Sequence, residues 1–270
     1  MSGAAASVPL AVPGLGEPLA ILIHGEQDMY VSRCLRQHGV WEPYESSLVL
    51  EFLAPGDVFV DVGANIGYFS LLADSRVGPA GAVFAFEPDP DNFALLTESV
   101  ALNGMEGVVH ATRAGLAAET GAARLYLSED NLGDHQIFAT QEGRQSRAIK
   151  LLSGAQYLAG KLQRLDLLKI DTQGSEYGVV AGLMPLLASL PNRPRIIIEL
   201  TPLSLRQCGS SGRALIKLLA ELDQPLWIID HLEHRLVASS AGELASWCDN
   251  VDAVAGDAGF MNILVGDGPG

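Results

Sequence analysis

From Leu19 onward, short apolar runs alternate with segments of helical periodicity. VFVDV (58–62), AVFAFEP (82–88), VVHATRA (108–114), LDLLKID (165–171), RIIIEL (195–200), LWIID (226–230) and FMNILVG (260–266) are apolar without clean alternation. That is how strands buried on both faces read, and helices must then cover those faces. GYFSLLADS and DNFALLTESVALNG, between the first of these runs, carry apolar residues three and four apart. The pattern predicts a doubly wound, Rossmann-like α/β domain with a mostly parallel sheet. Ahead of it, LAILIH reads as a short strand and YESSLVLEFL as a helix through Leu48, Val49 and Phe52, stopped by Pro55-Gly56.

The rhythm breaks between Leu125 and Tyr157. ARLYLS and SRAIKLL are strand candidates around the polar loop SEDNLGDHQIF, and GAQYLAGKL reads as helical. An insertion of this kind is a usual place for a lid or substrate loop. The expected organisation is a flexible arm over 1–18, a strand and helix cap over 19–56, and a catalytic-type domain over 57–270 with an insertion at about 122–160.

Composition narrows the partners. A chain of 270 residues that is 48% hydrophobic buries one sizeable core. A formal charge of −15 argues against tracking nucleic-acid phosphates or an anionic membrane by charge. Cys34, Cys208 and Cys248 form no C-x-x-C pair, so neither a disulfide framework nor a zinc site is expected. No apolar run approaches the roughly 20 residues of a membrane span, and the opening stretch lacks a basic, then apolar, leader. The expectation is a soluble, cytoplasmic protein.

The first strand runs into a glycine turn, DVGANIGYFS (61–70), with Asp61 at the strand end and Gly63 and Gly67 flanking Asn65. Glycine permits positive φ and close approach of a ligand to the backbone; Asn65 tolerates the left-handed conformation such a turn needs. Glu87 ends the next strand, at the offset where an acidic residue reaches the ribose hydroxyls of a ligand across the switch point. The spacing here is G-x-x-x-G, not the G-x-G-x-x-G of dinucleotide sites, and a carboxylate precedes it. Those features suit a cationic, amino-acid-bearing cofactor, and S-adenosylmethionine has the matching ammonium, sulfonium and ribose diol.

The strings DVFVDVGANIGYFSLLA, FAFEPDPDNFALLTESVALN, DNLGDH, LDLLKIDTQGSEYGVVAGL and RIIIEL, in order from about Trp41 to Leu200, resemble the FkbM-type methyltransferases, a branch of the class I S-adenosylmethionine-dependent enzymes. The resemblance implies a seven-stranded sheet whose last strand, FMNILVG, is antiparallel. It also implies methyl transfer to a hydroxyl of a sugar, glycan or secondary metabolite. Two departures stand out: Thr172-Gln173 replace the frequent Val-Glu after KID, and RAGLAAETG follows the third strand, leaving the adenine contact unassigned.

Asp61, Gly63, Asn65, Gly67 and Glu87 are the cofactor-side candidates. His135, an imidazole suited to take a hydroxyl proton near pH 7, and Asp171, at the ligand-binding edge of the fourth strand, are the catalytic candidates. Tyr44, Asp130, Asn131, Glu176 and Glu199 are candidates for the acceptor, with Ser175 and Glu176 equally placed to cap a helix. Lys169 either neutralises one of these carboxylates or is solvated. Three rival readings remain: a Mg²⁺-dependent methyltransferase holding the metal through Asp171, Glu176 and Glu199 for a diol or catechol-like acceptor; a nicotinamide-dependent dehydrogenase; and a non-catalytic cofactor-binding subunit. A small-molecule or glycan acceptor is the expected partner, with no nucleic acid and room for a homodimer.

Overall fold

A computed structural model describes residues 6–128, 130–138 and 144–269. β1 (Ala6–Pro9) and β2 (Ala20–Ile23) pair antiparallel and precede α1 (Val31–His38) and α2 (Pro43–Phe52). The body follows as β3 (Val58–Val62), α3 (Tyr68–Val77), β4 (Ala82–Phe86), α4 (Pro90–Leu102) and β5 (Val109–Thr112). Next come β6 (Gly115–Ala117), β7 (Gly121–Tyr126), β8 (Ser146–Ser153), α5 (Gly154–Leu158), β9 (Leu167–Ile170), α6 (Glu176–Ser189) and β10 (Arg195–Leu200). The chain closes with α7 (Pro202–Gln207), α8 (Gly212–Ala220), β11 (Leu226–Asp230), β12 (Arg235–Ser239), α9 (Ala241–Ala253) and β13 (Met261–Val265).

The main sheet has the order β12-β11-β13-β10-β9-β3-β4-β5. From β10 to β5 it is parallel, and β13 inserts antiparallel between β10 and β11. All seven expected strands are in it, and FMNILVG is indeed reversed. The sheet has eight strands and not seven, because β12 pairs with the outer edge of β11. Its residues are mostly exposed, so it lacks the apolar run that marks the others.

Side chains alternate between two cores. Phe59, Val83, Leu167 and Ile197 pack beneath α2, α3 and α4; Val60, Phe84, Leu168 and Ile196 face α6, α8 and α9. Each such buried side chain is worth about 1.5–3 kcal/mol relative to exposure, which is why near-continuous apolar strands are needed here.

Ala6–Pro9 lie inside the segment expected to be an arm, yet they form β1, and Leu10, Val12 and Leu19 are buried. Small residues hide this, since the strand gains its partners only when the chain returns as β2. α1 is a second element that the apolar pattern does not announce. The insertion is a three-stranded sheet, β6-β8-β7, whose two long strands are the expected ARLYLS and SRAIKLL. It begins at Gly115, ahead of the expected boundary. Arg147 on β8 ties it to the body through Asp89 (3.0 Å) and Asp91 (2.7 Å) at the start of α4. Among the described residues no helix is long and apolar enough to cross a membrane.

From β3 the chain moves outward to β4 and β5, then crosses back to lay β9 on the other side of β3. The C-terminal ends of β3 and β9 therefore flank a switch point, where open α/β sheets leave a crevice.

Candidate functional site

The turn after β3 is built from the backbone. Gly63 and Ala64 donate N–H bonds to the carbonyl of Phe86 (3.0 Å each), and Gly67 donates to Ala64 (2.8 Å). Gly63 (φ 84), Asn65 (φ 50) and Gly67 (φ 93) are all left-handed, so Asn65 fills the backbone role expected of it. Glu87 closes the turn: Oε2 accepts the N–H of Asn65 and Oε1 that of Asp89, both at 2.8 Å. Asp89 is the N-cap of α4, accepting from Asp91 and Asn92, with Pro90 at the first helical position. Burial pushes the Glu87 carboxyl up to about 8 against the two N–H bonds that favour its charged form.

This turn opens on two cavities. The first runs from Gly63, Asn65 and Glu87 to an apolar slot formed by Leu116, Leu125, Ile149 and Leu151. That slot belongs to the insertion sheet, which supplies the apolar wall that RAGLAAETG alone does not reveal. The second is a larger, open cleft lined by Tyr30, Trp41, Phe69 and Phe260 together with several carboxyl groups. Gly63, Asn65, Gly133, Asp171 and Gln173 line both, so the two cavities meet at the switch point.

Asp171 sits on that shared wall. Its Oδ2 accepts from Lys169 Nζ (3.2 Å) and its Oδ1 from Gln173 Nε2 (2.7 Å); the same Nε2 reaches Glu199 Oε2 at 3.0 Å. Gln173, left-handed at φ 53, thus holds two carboxylates together with one amide. Burial, then Asp171 and Glu176, drive Glu199 well above the usual carboxylate range. Lys169 is buried, not solvated: its ammonium also lies 3.5 Å from Glu45 Oε1 and 4.4 Å from the centre of the Phe69 ring. Burial alone would discharge it, but Asp171, Glu45, Glu42 and Asp61 hold its pKa well above normal. Asn262 on β13 donates to Glu45 Oε2 (2.7 Å), joining the far side of the sheet to this network.

Other candidates are placed differently from the expectation. Asp61 is buried beneath the turn, accepts from Ser70 Oγ (2.7 Å) and lines neither cavity. Burial raises it to about 6, with Lys169 and Ser70 pulling the other way. Glu176 is fully buried and accepts from the N–H and hydroxyl of Thr172 and the N–H of Gly174, so it fastens the T-Q-G turn and does not face an acceptor. Ser175 occupies the N-cap position of α6 without a capping bond.

His135 lines the smaller cavity and not the cleft; its Nδ1 accepts the N–H of Ser128 (3.0 Å), and burial lowers its pKa to about 4. A neutral imidazole facing away from the cleft is poorly placed to take a proton there. Tyr44 stacks on His234 (5.6 Å, 5°), outside both cavities. Asp130 and Asn131 do line the cleft. The triad Asp171, Glu176, Glu199 does not converge on one point, because Glu176 faces the turn and the Gln173 amide lies between the other two. Among the described residues no group of three or more His, Cys, Asp or Glu side chains is arranged to hold a metal ion.

The sequence reading left Lys169 between two roles, noted Gln173 only as a departure from the family pattern, and passed over Glu42, which also lines the cleft. Lys169 and Gln173 flank Asp171 at a strand's C-terminal end, and that position was the available signal.

The chain is 31% identical over 176 residues to the hexuronic acid methyltransferase AglP of Haloferax volcanii, covering 64% of this chain and 66% of that one. It is 35% identical over 104 residues to the 31-O-demethyl-FK506 methyltransferase FkbM of Streptomyces tacrolimicus, covering 38% and 35%. The match thus spans two thirds or less of the length of these relatives. Among solved structures, an S-adenosylmethionine-dependent O-methyltransferase of Thermotoga maritima aligns with a TM-score of 0.45 at 13% identity, over 98% of this chain and 78% of that one. The Methyltransferase FkbM domain matches residues 61–226, well over half of the chain, which therefore belongs to the FkbM methyltransferase family.

Proposed function

We propose that the protein is an S-adenosylmethionine-dependent O-methyltransferase acting on a hydroxyl of a sugar, glycan or secondary metabolite. The observation that carries this reading is the meeting of the two cavities at Gly63, Asn65, Asp171 and Gln173. One cavity has the polar and apolar parts that an adenosyl group needs, and the other has room for a hydroxylated acceptor. S-adenosylmethionine, when bound, supplies a methyl group already electrophilic on its sulfonium.

The residues fit that cofactor. Each Glu87 oxygen has spent one lone pair on a backbone N–H, leaving acceptor capacity for a ribose diol, and Leu116, Leu125, Ile149 and Leu151 offer an apolar slot for adenine. Asp171 and Gln173, on the shared wall, are the groups that would orient an acceptor hydroxyl toward the first cavity. The remaining work is alignment in a site screened from water, for which effective molarity allows about 7–11 kcal/mol. The Mg²⁺-dependent reading loses its ligand set to the contacts of Glu176 and Gln173.

Titration calorimetry with S-adenosylhomocysteine tests the cofactor assignment. Glu87→Ala is expected to weaken binding about 100-fold, the loss of two hydrogen bonds to a charged group. The wild type should also show a pH signature. Its carboxyl, held near 8 in the free protein, must ionise to accept from the ribose, so affinity rises with pH up to about 8 and levels off above it. Below that point the slope approaches tenfold per pH unit. Glu87→Gln should flatten this profile. Equal affinities for wild type and Glu87→Ala would remove the ribose assignment. Labelled methyl transfer to an acceptor panel separates an enzyme from a binding subunit that has lost catalysis.

A further inference from the structure

The cleft is strongly one-signed. Glu42, Asp130, Asp134, Asp171 and Glu199 line it, against the single ammonium of Lys169 among the described residues. That ammonium is already engaged by Asp171 and Glu45. Arg144 does not line the cleft; it donates to the carbonyls of Leu127 and Asp134 and offsets the charge of Asp134 in part, and residues 129 and 139–143 contain no Lys or Arg. An acidic lining is not by itself a site, since solvated carboxylates are ordinary surface chemistry.

Glu42 is different in kind. Its Oε2 is buried and meets no hydrogen-bond donor. The nearby Asn262 amide favours the charged form of Glu42, but the bond it makes goes to Glu45 Oε2 at 2.7 Å. Burial and the Glu45 charge push Glu42 well above the usual carboxylate range, with Lys169 opposing them. A buried carboxyl oxygen without a donor is costly, and the missing partner is then expected from the ligand. Trp41 beside it, with Tyr30 and Phe260 half-exposed at the rim, offers flat apolar faces of the kind that pack against sugar rings.

We infer that Glu42 is the acceptor-recognition carboxylate of the cleft, and that the acceptor is a hydroxylated molecule bearing an amine, such as an amino sugar, whose ammonium pairs with Glu42. This rests on the cleft being the acceptor site of a methyltransferase. An ammonium placed there relieves the excess negative charge and supplies the donor that Oε2 lacks; an acidic acceptor would add a further anion to a desolvated carboxylate cluster. The preference therefore runs opposite to a uronic acid, the substrate class named for the Haloferax relative.

The test uses the whole protein loaded with S-adenosylhomocysteine and three matched probes: methyl glucosaminide, methyl glucoside and methyl glucuronide. Affinities are read from saturation-transfer NMR titrations. The aminated glycoside is expected to bind about tenfold tighter than the neutral one, the increment of one hydrogen bond to a charged group. The glucuronide is expected to bind about tenfold or more weaker than the neutral one.

In Glu42→Gln, which keeps the shape of the side chain, the amino and neutral probes should come within about twofold of each other. S-adenosylhomocysteine affinity should be unchanged and reports separately that the variant is folded and that the cofactor reading stands. A glucuronide that binds as tightly as the neutral probe overturns the inference. So does an amine preference that survives Glu42→Gln, or failure of the aminated probe to bind saturably.

Discussion

Lys169→Met is expected to destabilise the protein by about 3–5 kcal/mol, the loss that follows when one partner of a buried ion network is removed. Lys169 is 4% exposed, and its ammonium sits between Asp171 Oδ2 at 3.2 Å and Glu45 Oε1 at 3.5 Å, with Asp61 and Glu42 also within its field. Methionine matches the aliphatic stem, so the change removes the ammonium with its ion pairs and its contact over the Phe69 ring. Without it Glu45, which is fully buried, retains only the Asn262 amide at 2.7 Å and the more distant His231 at 3.8 Å.

The pH dependence follows from the carboxyl groups that Lys169 holds down. Asp61, at about 6, and Glu42, already raised, both count Lys169 among the causes that lower them. In the variant their folded pKa values climb further above the unfolded values. A carboxyl group raised on folding costs stability above its unfolded pKa, and the cost disappears as pH falls below it. The deficit of Lys169→Met should therefore be largest near pH 8 and shrink toward pH 5. Urea denaturation at the two pH values measures it. A variant as stable as wild type at pH 8 would mean that the ammonium is dispensable to the core.

This network shows where sequence and structure part company. The seven main strands are legible because a sheet covered on both faces leaves few polar positions in its runs. The glycine turn and Glu87 are legible because they follow one another along the chain at strand ends. β12 and β1 are not, since edge strands of mixed or small residues carry no such mark. The larger cleft is hidden for a different reason. Its walls come from Tyr30 and Val31, Trp41 and Glu42, the glycine turn with the start of α3, the Asp130–Gln136 loop, the end of β9 with the turn after it, the end of β10 with α7, and Ala258 with Phe260. No spacing along the chain relates those seven segments. His135 drew attention by its residue type, and the structure places it on the smaller cavity. Glu42, between a tryptophan and a proline, drew none, although it lines the cleft.

Gly63→Ala should be more damaging than any other single methyl added to this turn. The added Cβ would lie 1.9 Å from the carbonyl oxygen of Asp171 and 2.9 Å from its carbonyl carbon. Ordinary contact needs about 3.5 Å, so the overlap exceeds about 1 Å. Neither side has slack, because Asp171 N is bonded to Val62 O at 3.0 Å and Gly63 N to Phe86 O at 3.0 Å.

Gly67→Ala separates this close approach from backbone conformation. Both glycines are left-handed, at φ 84 and 93, so both pay the roughly 1–2 kcal/mol that a Cβ costs in that region. At Gly67 the nearest atom is Leu96 Cγ at 3.1 Å, part of a side chain that can yield. Gly67→Ala should therefore lower stability by about 2 kcal/mol and leave S-adenosylhomocysteine binding within a fewfold of wild type.

Gly63→Ala should lose at least about 4 kcal/mol, the range of a severe steric lesion. Any folded fraction should bind S-adenosylhomocysteine at least about 100-fold more weakly. It can survive only by pushing the end of β9 away from β3, and that movement carries Asp171 and Gln173 off the wall that both cavities share. Thermal denaturation and calorimetry on the two variants, side by side, decide the matter. Equal losses would mean that only the left-handed backbone matters and that the contact between Gly63 and Asp171 does not set the geometry of the site.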